Sequence, residues 1–303
     1  MASILDSRTK LAPEVSVSIA IHLLLVDLIS GEIDIIEGVN SATTNSMTLH
    51  TAPGCTISNN GSFSGHVETT NCYINAPGQG DNVGCGIDAT VDATYGTSFN
   101  AVGGGVYATE WTSDGITVWH FQRSQIPNDI TSGSPDPSSW TEPLAKFQGS
   151  CNFQTLFQSL SIVVDTTFCG SWAGEQSVWE ADQVCGSKAT TCQDYVQNNP
   201  QDFAEAFWQF NSIKVYQLVD GSSASQQNPQ PTSTSMPIPA ASSTPASPTN
   251  NTQAVPTIFF TSTTTSSSAH ASVTPTASES TETYFVDVTM TVTASFPSTN
   301  SVS

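Results

Sequence analysis

Ten residues constrain the fold more than any other stretch: Gly31-Glu32-Ile33-Asp34-Ile35-Ile36-Glu37-Gly38-Val39-Asn40. Side chains alternate faces along a strand, so Glu32 and Asp34 share one face while Ile33 and Ile35 share the other. Such a strand has a wet side and a buried side. Ile36 then breaks the alternation, and on a regular strand Glu37 would point into the core. A one-residue β-bulge around Ile35 and Ile36 repairs the phase. It keeps both isoleucines buried and returns Glu37 to the face of Glu32 and Asp34. The stretch predicts a bulged strand in a sheet that is open on one side.

The surrounding sequence, residues 31–218, supplies the rest of that sheet and a partner for it. Short β-prone runs occur at 46–51, 105–111, 116–122, 161–166 and 212–218, separated by polar, Gly- and Pro-rich turns such as 76–81 and 131–139. In Gly115-Ile116-Thr117-Val118-Trp119-His120-Phe121 the residues Ile116, Val118 and His120 fall on one face. One helix is expected at 192–198, and 200–207 reads either as a second helix or as the lead into the last strand. Many short strands with turns between them predict an all-β chain, an antiparallel β-sandwich or jelly roll.

With the bulge, Glu32 and Glu37 stand about four strand steps apart, on the order of 13 Å between Cα atoms. Side chains leaning together bring such carboxyls toward the ~5–5.5 Å that a retaining glycosidase uses. One glutamate would attack the anomeric carbon as a carboxylate, and the other would hold a proton for the departing oxygen. Asp34 between them can orient the nucleophile, and its charge helps the acid keep its proton. The alternative is a solvated acidic face or a divalent-cation site. Calcium asks for six or more oxygens, and no EF-hand pattern of glycine and ligands surrounds these acids. Neither metal nor cofactor is therefore expected.

Charge narrows the partners. Six Lys and Arg against 26 Asp and Glu give a net charge of −20. Such a surface repels phosphate backbones and anionic lipid headgroups, so nucleic acid and membrane surfaces are poor partners. Neutral polymers remain. The seven cysteines include no C-x-x-C pair and suit disulfides in an oxidising compartment. Their odd number implies a free thiol, an intermolecular bond or a missing partner. Sequons at Asn60 and Asn250 suit a secreted glycoprotein.

The two ends differ from the middle. Residues 1–30 form an atypical segment. Its apolar run 17–29 faintly resembles a secretory signal, but His22 and Asp27 interrupt it, no clean cleavage site follows, and it is too short and polar to span a bilayer. Residues 219–303 are dominated by Ser, Thr, Pro and Ala, with no Lys, Arg, Cys or Trp after Gly221. They bury too little apolar surface to offset ordering entropy and read as a disordered, O-glycosylated stalk. Within it, 284–292 is locally β-prone.

The motif Glu-Ile-Asp-Ile-Ile-Glu resembles the catalytic signature of glycoside hydrolase family 16 in its bulged, laminarinase-like form. The similarity continues through Met47-Thr48-Leu49-His50-Thr51, Gly103-Gly104-Gly105-Val106-Tyr107, Ser132-Gly133-Ser134-Pro135-Asp136-Pro137, Trp172-Ala173-Gly174 and Asn211-Ser212-Ile213-Lys214-Val215-Tyr216. It spans residues 31–218 and is strongest to fungal endo-1,3(4)-β-glucanases. It implies a concanavalin-like jelly roll with a cleft on its concave sheet. Glu32 is implied as nucleophile, Asp34 as its assistant and Glu37 as acid/base, with His50 and Trp172 lining the cleft. Read from the residues alone, a hydrogen-bonded strand histidine is the stronger reading of His50, while Trp172 is equally a packing tryptophan.

The resemblance further implies a monomer acting on β-glucan outside the cell or in the wall. One departure stands out: relatives carry a β-rich, tryptophan-containing stretch before the signature, whereas here residues 1–30 hold no tryptophan. The expectation is a domain incomplete at its N-terminus, with exposed sheet edges. Two other functions stay open, a non-catalytic or inactive wall protein and a glucan transglycosylase. The latter usually shows a five-residue E-x-D-x-E form.

Overall fold

Every run expected to be a strand is one in the computed structural model. The structure describes the backbone of residues 2–10, 17–24, 31–158, 160–204, 206–218, 261–264, 283–286 and 288–291, and side chains from 31 to 216 apart from 159, 165 and 205. Its strands are β1 (Ala2–Lys10), β2 (Val17–Leu24), β3 (Glu32–Gly38), β4 (Ser46–His50), β5 (Thr56–Ile57), β6 (His66–Val67), β7 (Cys85–Asp88) and β8 (Gly105–Trp111). They continue as β9 (Ile116–Gln122), β10 (Ala145–Phe147), β11 (Gly149–Ser150), β12 (Ser161–Phe168), β13 (Phe207–Leu218), β14 (Thr261–Thr264), β15 (Thr283–Val286) and β16 (Val288–Thr291). Short helices join them: α1 (Gly96–Ala101), α2 (Asn128–Ser132), α3 (Phe153–Leu156), α4 (Gln176–Ala181) and α5 (Cys192–Asn198).

Two six-stranded antiparallel sheets carry the fold. One runs β10-β9-β8-β1-β13-β15, the other β12-β2-β3-β4-β7-β6. Their facing sides share one core. Ile33, Met47, Leu49 and Ile87 from the second sheet meet Tyr107, Ile116, Val118, Phe147 and Ile213 from the first. Each such side chain contributes roughly 1.5–3 kcal/mol by leaving water. Alternation turns the odd-numbered β4 residues Met47 and Leu49 into this core and sends Ser46, Thr48 and His50 to the opposite face.

β9 is apolar on both faces, for two reasons. Ile116 and Val118 belong to the main core, while Trp119 and Phe121 join Val106, Ala108 and Ile130 in a second cluster packed by Ile126 and Trp140. Trp140 meets Trp119 edge-on at 5.2 Å and donates its indole N–H to Asp129 at 2.7 Å. The turn-rich stretch around α2 thus covers the outer side of the first sheet.

The segment 1–30 departs from the sequence-based expectation. The backbone of β1 lies between β8 and β13, and that of β2 lies between β12 and β3. These strands hold interior positions in the two sheets, so the edges expected there are paired. Val17, Ile19 and Ile21 alternate as a strand should, but an apolar run after basic residues also has the composition of a secretory leader. Beyond 218, where a stalk without fixed structure was expected, β15 pairs with β13 and β14 with β16. β15 and β16 fall in the locally β-prone stretch; the remainder of the stalk lies outside the described residues.

Three disulfides resolve most of the cysteine arithmetic: Cys55–Cys151, Cys72–Cys85 and Cys169–Cys192. Cys185, fully buried, takes part in none of them.

His120 is part of the packing. Its ring lies 4.8 Å from Tyr107 and 5.6 Å from Phe99, and its buried Nε2 has no hydrogen-bond partner among the described residues. Burial pushes its pKa down to about 4. The unfolded chain, with an ordinary imidazole near 6.5, therefore binds the proton first as pH falls. Stability from this group is complete above about pH 6.5 and is lost toward pH 4, by roughly 3 kcal/mol. Thermal melts across that window should fall accordingly, and His120→Phe should flatten the decline. An unchanged slope in the variant would show that other groups drive it.

Candidate active site

Two glycines bracket the acidic strand. Gly31 has φ +74°, and a Cβ there would sit 2.3 Å from the Leu156 carbonyl oxygen. Gly38 lies under the Tyr95 ring, where a Cβ would come within 2.6 Å, and Tyr95 donates its hydroxyl to the Gly38 carbonyl at 2.9 Å. Both ends of β3 are therefore seated against other elements by close backbone approach.

Between them the strand slips by one residue. Asp34 pairs with Thr48 and Glu37 with Ser46, so three steps along β3 match two along β4. Ile35 and Ile36 are both buried, at 1% and 3% exposure. On the β2 side, Asp34 pairs with His22 and Ile36 with Ile21, which places the extra residue at Ile35. This is the bulge expected from the sequence. Its effect is to put Glu32, Asp34 and Glu37 on one wall of one cleft.

The cleft encloses about 680 Å³. β3 supplies the three acids, β4 supplies Ser46, Thr48 and His50, and β7 supplies Gly86 and Asp88. The rim after β12 adds Trp172 and Glu175. Asp34 is the buried acid, at 2% exposure, while Glu32 and Glu37 are half-buried. His50 stands opposite Glu32 across the β3–β4 ladder, and its Nε2 lies 3.2 Å from Asp34 Oδ2. Burial alone pulls the His50 pKa down. The hydrogen bond and charge of Asp34, with the charges of Glu32 and Glu37, outweigh it and hold the pKa above the ordinary imidazole value. His50 is thus both a hydrogen-bonded strand histidine and a wall of the cleft.

Glu32, Asp34 and His50 bring ligand atoms within 4.8 Å of one another. That proximity could grip a cation. A hard divalent ion asks for six or more oxygens, however, and His50 already directs its Nε2 at Asp34. The arrangement suits proton chemistry better: carboxylates of different burial on one wall, the buried one paired with an imidazole.

Trp172 is 38% exposed and lies on the cleft rim, which favours a stacking platform over a packing role. Trp119, Trp111 and Trp208 instead pack into or against the core. Glu175, unremarked in the sequence, caps α4 and shares the rim with Trp172. The hydroxyl of Ser177 and the N–H of Val178 donate to its carboxylate and lower its pKa. Ser46 and Thr48 could have been found from the sequence, because they share the period-two face of His50. Asn45 carried no such signal.

The chain matches the family model for the XgeA-like, catalytic GH16 domain over residues 29–216. It belongs to glycoside hydrolase family 16. Among family 16 relatives, an endo-1,3(4)-β-glucanase of Arthroderma benhamiae is 46% identical over 189 residues, which is 62% of this chain and 41% of that protein. The chain spans less than half the length of the curated relatives it matches. Laminarinase 16A of Phanerochaete chrysosporium, solved with two β-glucans in its donor and acceptor sites, is 37% identical with a TM-score of 0.64. The match covers 70% of this chain and 71% of that one. A family 16 elongating β-1,3-glucosyltransferase is 34% identical with a TM-score of 0.60, over the same shares. The jelly-roll architecture expected from the sequence is that of these neighbours.

Proposed function

We propose that this family 16 domain hydrolyses internal bonds of β-1,3- or mixed-linkage β-1,3(4)-glucan with retention of configuration. The observation that carries the reading is the one-residue slip in β3, which brings Glu32 and Glu37 to one cleft wall. In the first step the Glu32 carboxylate attacks the anomeric carbon, and the C–O bond to the departing sugar breaks. Glu37 gives that oxygen its proton. In the second, the Glu37 carboxylate takes a proton from water as the water oxygen attacks the same carbon and Glu32 leaves. Asp34, held by His50, orients Glu32, and Trp172 offers a ring face to a glucosyl unit. A neutral polymer suits a cleft rich in carboxylates.

The names of the relatives support this substrate class, and three disulfides favour action outside the cell or in the wall. One observation favours a second reading: a structural neighbour elongates β-1,3-glucan. The same glycosyl-enzyme would then be intercepted by a sugar hydroxyl in place of water. Digestion of laminarin and of mixed-linkage glucan followed by proton NMR separates the outcomes. Hydrolysis with retention should show the β-anomer first, with progressively shorter products. A first-formed α-anomer would overturn the two-step mechanism, and products longer than the substrate would identify transfer.

A further inference from the structure

We propose that Asn45 is a positioning residue for Glu37, acting through the backbone of the bulge; this rests on Glu37 being the acid/base. Between the pairs Asp34–Thr48 and Glu37–Ser46, two residues of β3 face one residue of β4. The ladder cannot serve every peptide group across such a mismatch. Asn45, immediately before β4, meets two of them with one side chain. Its Oδ1 accepts from the Glu37 N–H at 2.8 Å, and its Nδ2 donates to the Ile35 carbonyl at 2.9 Å. A backbone donor and a backbone acceptor flanking one doublet require opposite ends of one planar group. A carboxamide provides that.

Asn45 is itself immobilised. It is 1% exposed, its N–H donates to the Thr94 hydroxyl at 2.9 Å, and its carbonyl accepts from the Ala89 N–H at 2.8 Å. Thr94 in turn donates to the Val91 carbonyl at 3.2 Å. Behind Glu37, Tyr95 fixes the Gly38 carbonyl. The peptide that bears the Glu37 side chain is thus held from both sides. Glu32, outside the doublet, receives no such support from Asn45. The clamp, whose side chain also borders the cleft, therefore sets the distance of the proton donor from the nucleophile through the backbone of the bulge.

The test compares two substrates. On laminarin, departure of the sugar needs the Glu37 proton; on a dinitrophenyl β-laminaribioside it does not, because dinitrophenolate leaves unaided. Asn45→Ala in the full chain should lower kcat/KM on laminarin by about 10²-fold and on the aryl substrate by less than about threefold. A loss of folded protein would lower both alike. Equal losses, or wild-type turnover of laminarin, would overturn the role. Should Asn45→Ala fail to fold by circular dichroism, Asn45→Asp keeps the shape and the acceptor for Glu37. The same ratio then decides, with a smaller split in the same direction expected. Glu37→Ala is measured alongside. If it too lacks the substrate split, the acid/base reading is wrong and the Asn45 role falls with it. A split in Glu37→Ala alone sinks only Asn45.

Discussion

Glu32→Ala should lose laminarin hydrolysis by about 10⁴- to 10⁶-fold while keeping its fold. The side chain is half-buried on the cleft wall and packs no core. Removing one carboxylate from beside Asp34 and Glu37 also relieves like-charge repulsion, so the melting temperature should hold or rise. Glu37→Ala should lose less, about 10²- to 10⁴-fold, as expected for a proton-transfer group. Azide tells the two apart. In Glu32→Ala it can take the place of the missing carboxylate and displace the leaving sugar directly, giving an α-glucosyl azide. In Glu37→Ala the glycosyl-enzyme still forms, most readily from an activated aryl substrate, and azide attack on it gives the β-product. Swapped anomers would exchange the roles of the two glutamates, and wild-type turnover by either variant would remove that residue from the chemistry.

The Cys55–Cys151 bond carries the second large effect. β5 and β11 pair through only two positions, Ile57 with Gly149 and Thr56 with Ser150, and the disulfide follows as the next rung. A ribbon this short has little stability of its own. The bond closes a loop of 96 residues, worth about 4–5 kcal/mol of unfolded-chain entropy. Replacing both cysteines with alanine should lower the melting temperature by about 10 °C, taking a few degrees per kcal/mol for a domain of this size. Calorimetry of the double variant against the oxidised wild type checks this. A shift of under about 2 °C would mean that the packing of Phe153 and Phe157, on its own, holds this region.

The sequence made the centre of the molecule legible. β8, β9 and α5 lie at the positions read from the sequence: each strand spans about three periods of alternation, and α5 nearly two helical turns. The bulge was legible for the same reason: Ile36 could not be buried on a regular strand without turning Glu37 inward. The shorter helices α1 to α4 escaped, each being six residues or fewer and too brief to establish a period. Asn45 escaped because its work is done on peptide groups, which leave no trace in the pattern of side chains. β1 and β2 escaped for a third reason. Their composition fits more than one fate, and pairing with β8, β13, β12 and β3 decides between them only in three dimensions.

The slip in β3 also has an arithmetic side. Facing on a strand is a matter of odd and even. Positions 32 and 37 differ by an odd number, and the additional residue makes their separation effectively even. Substitution cannot alter parity; only gaining or losing a residue can. Point changes at 33, 35 or 36 leave that count unaltered, so the outward facing of Glu37 depends on the bulge that the burial of both Ile35 and Ile36 demands. Deleting one residue between Asp34 and Glu37 would instead leave Glu-x-Asp-x-Glu, an even separation that a regular strand presents to one face with no bulge at all.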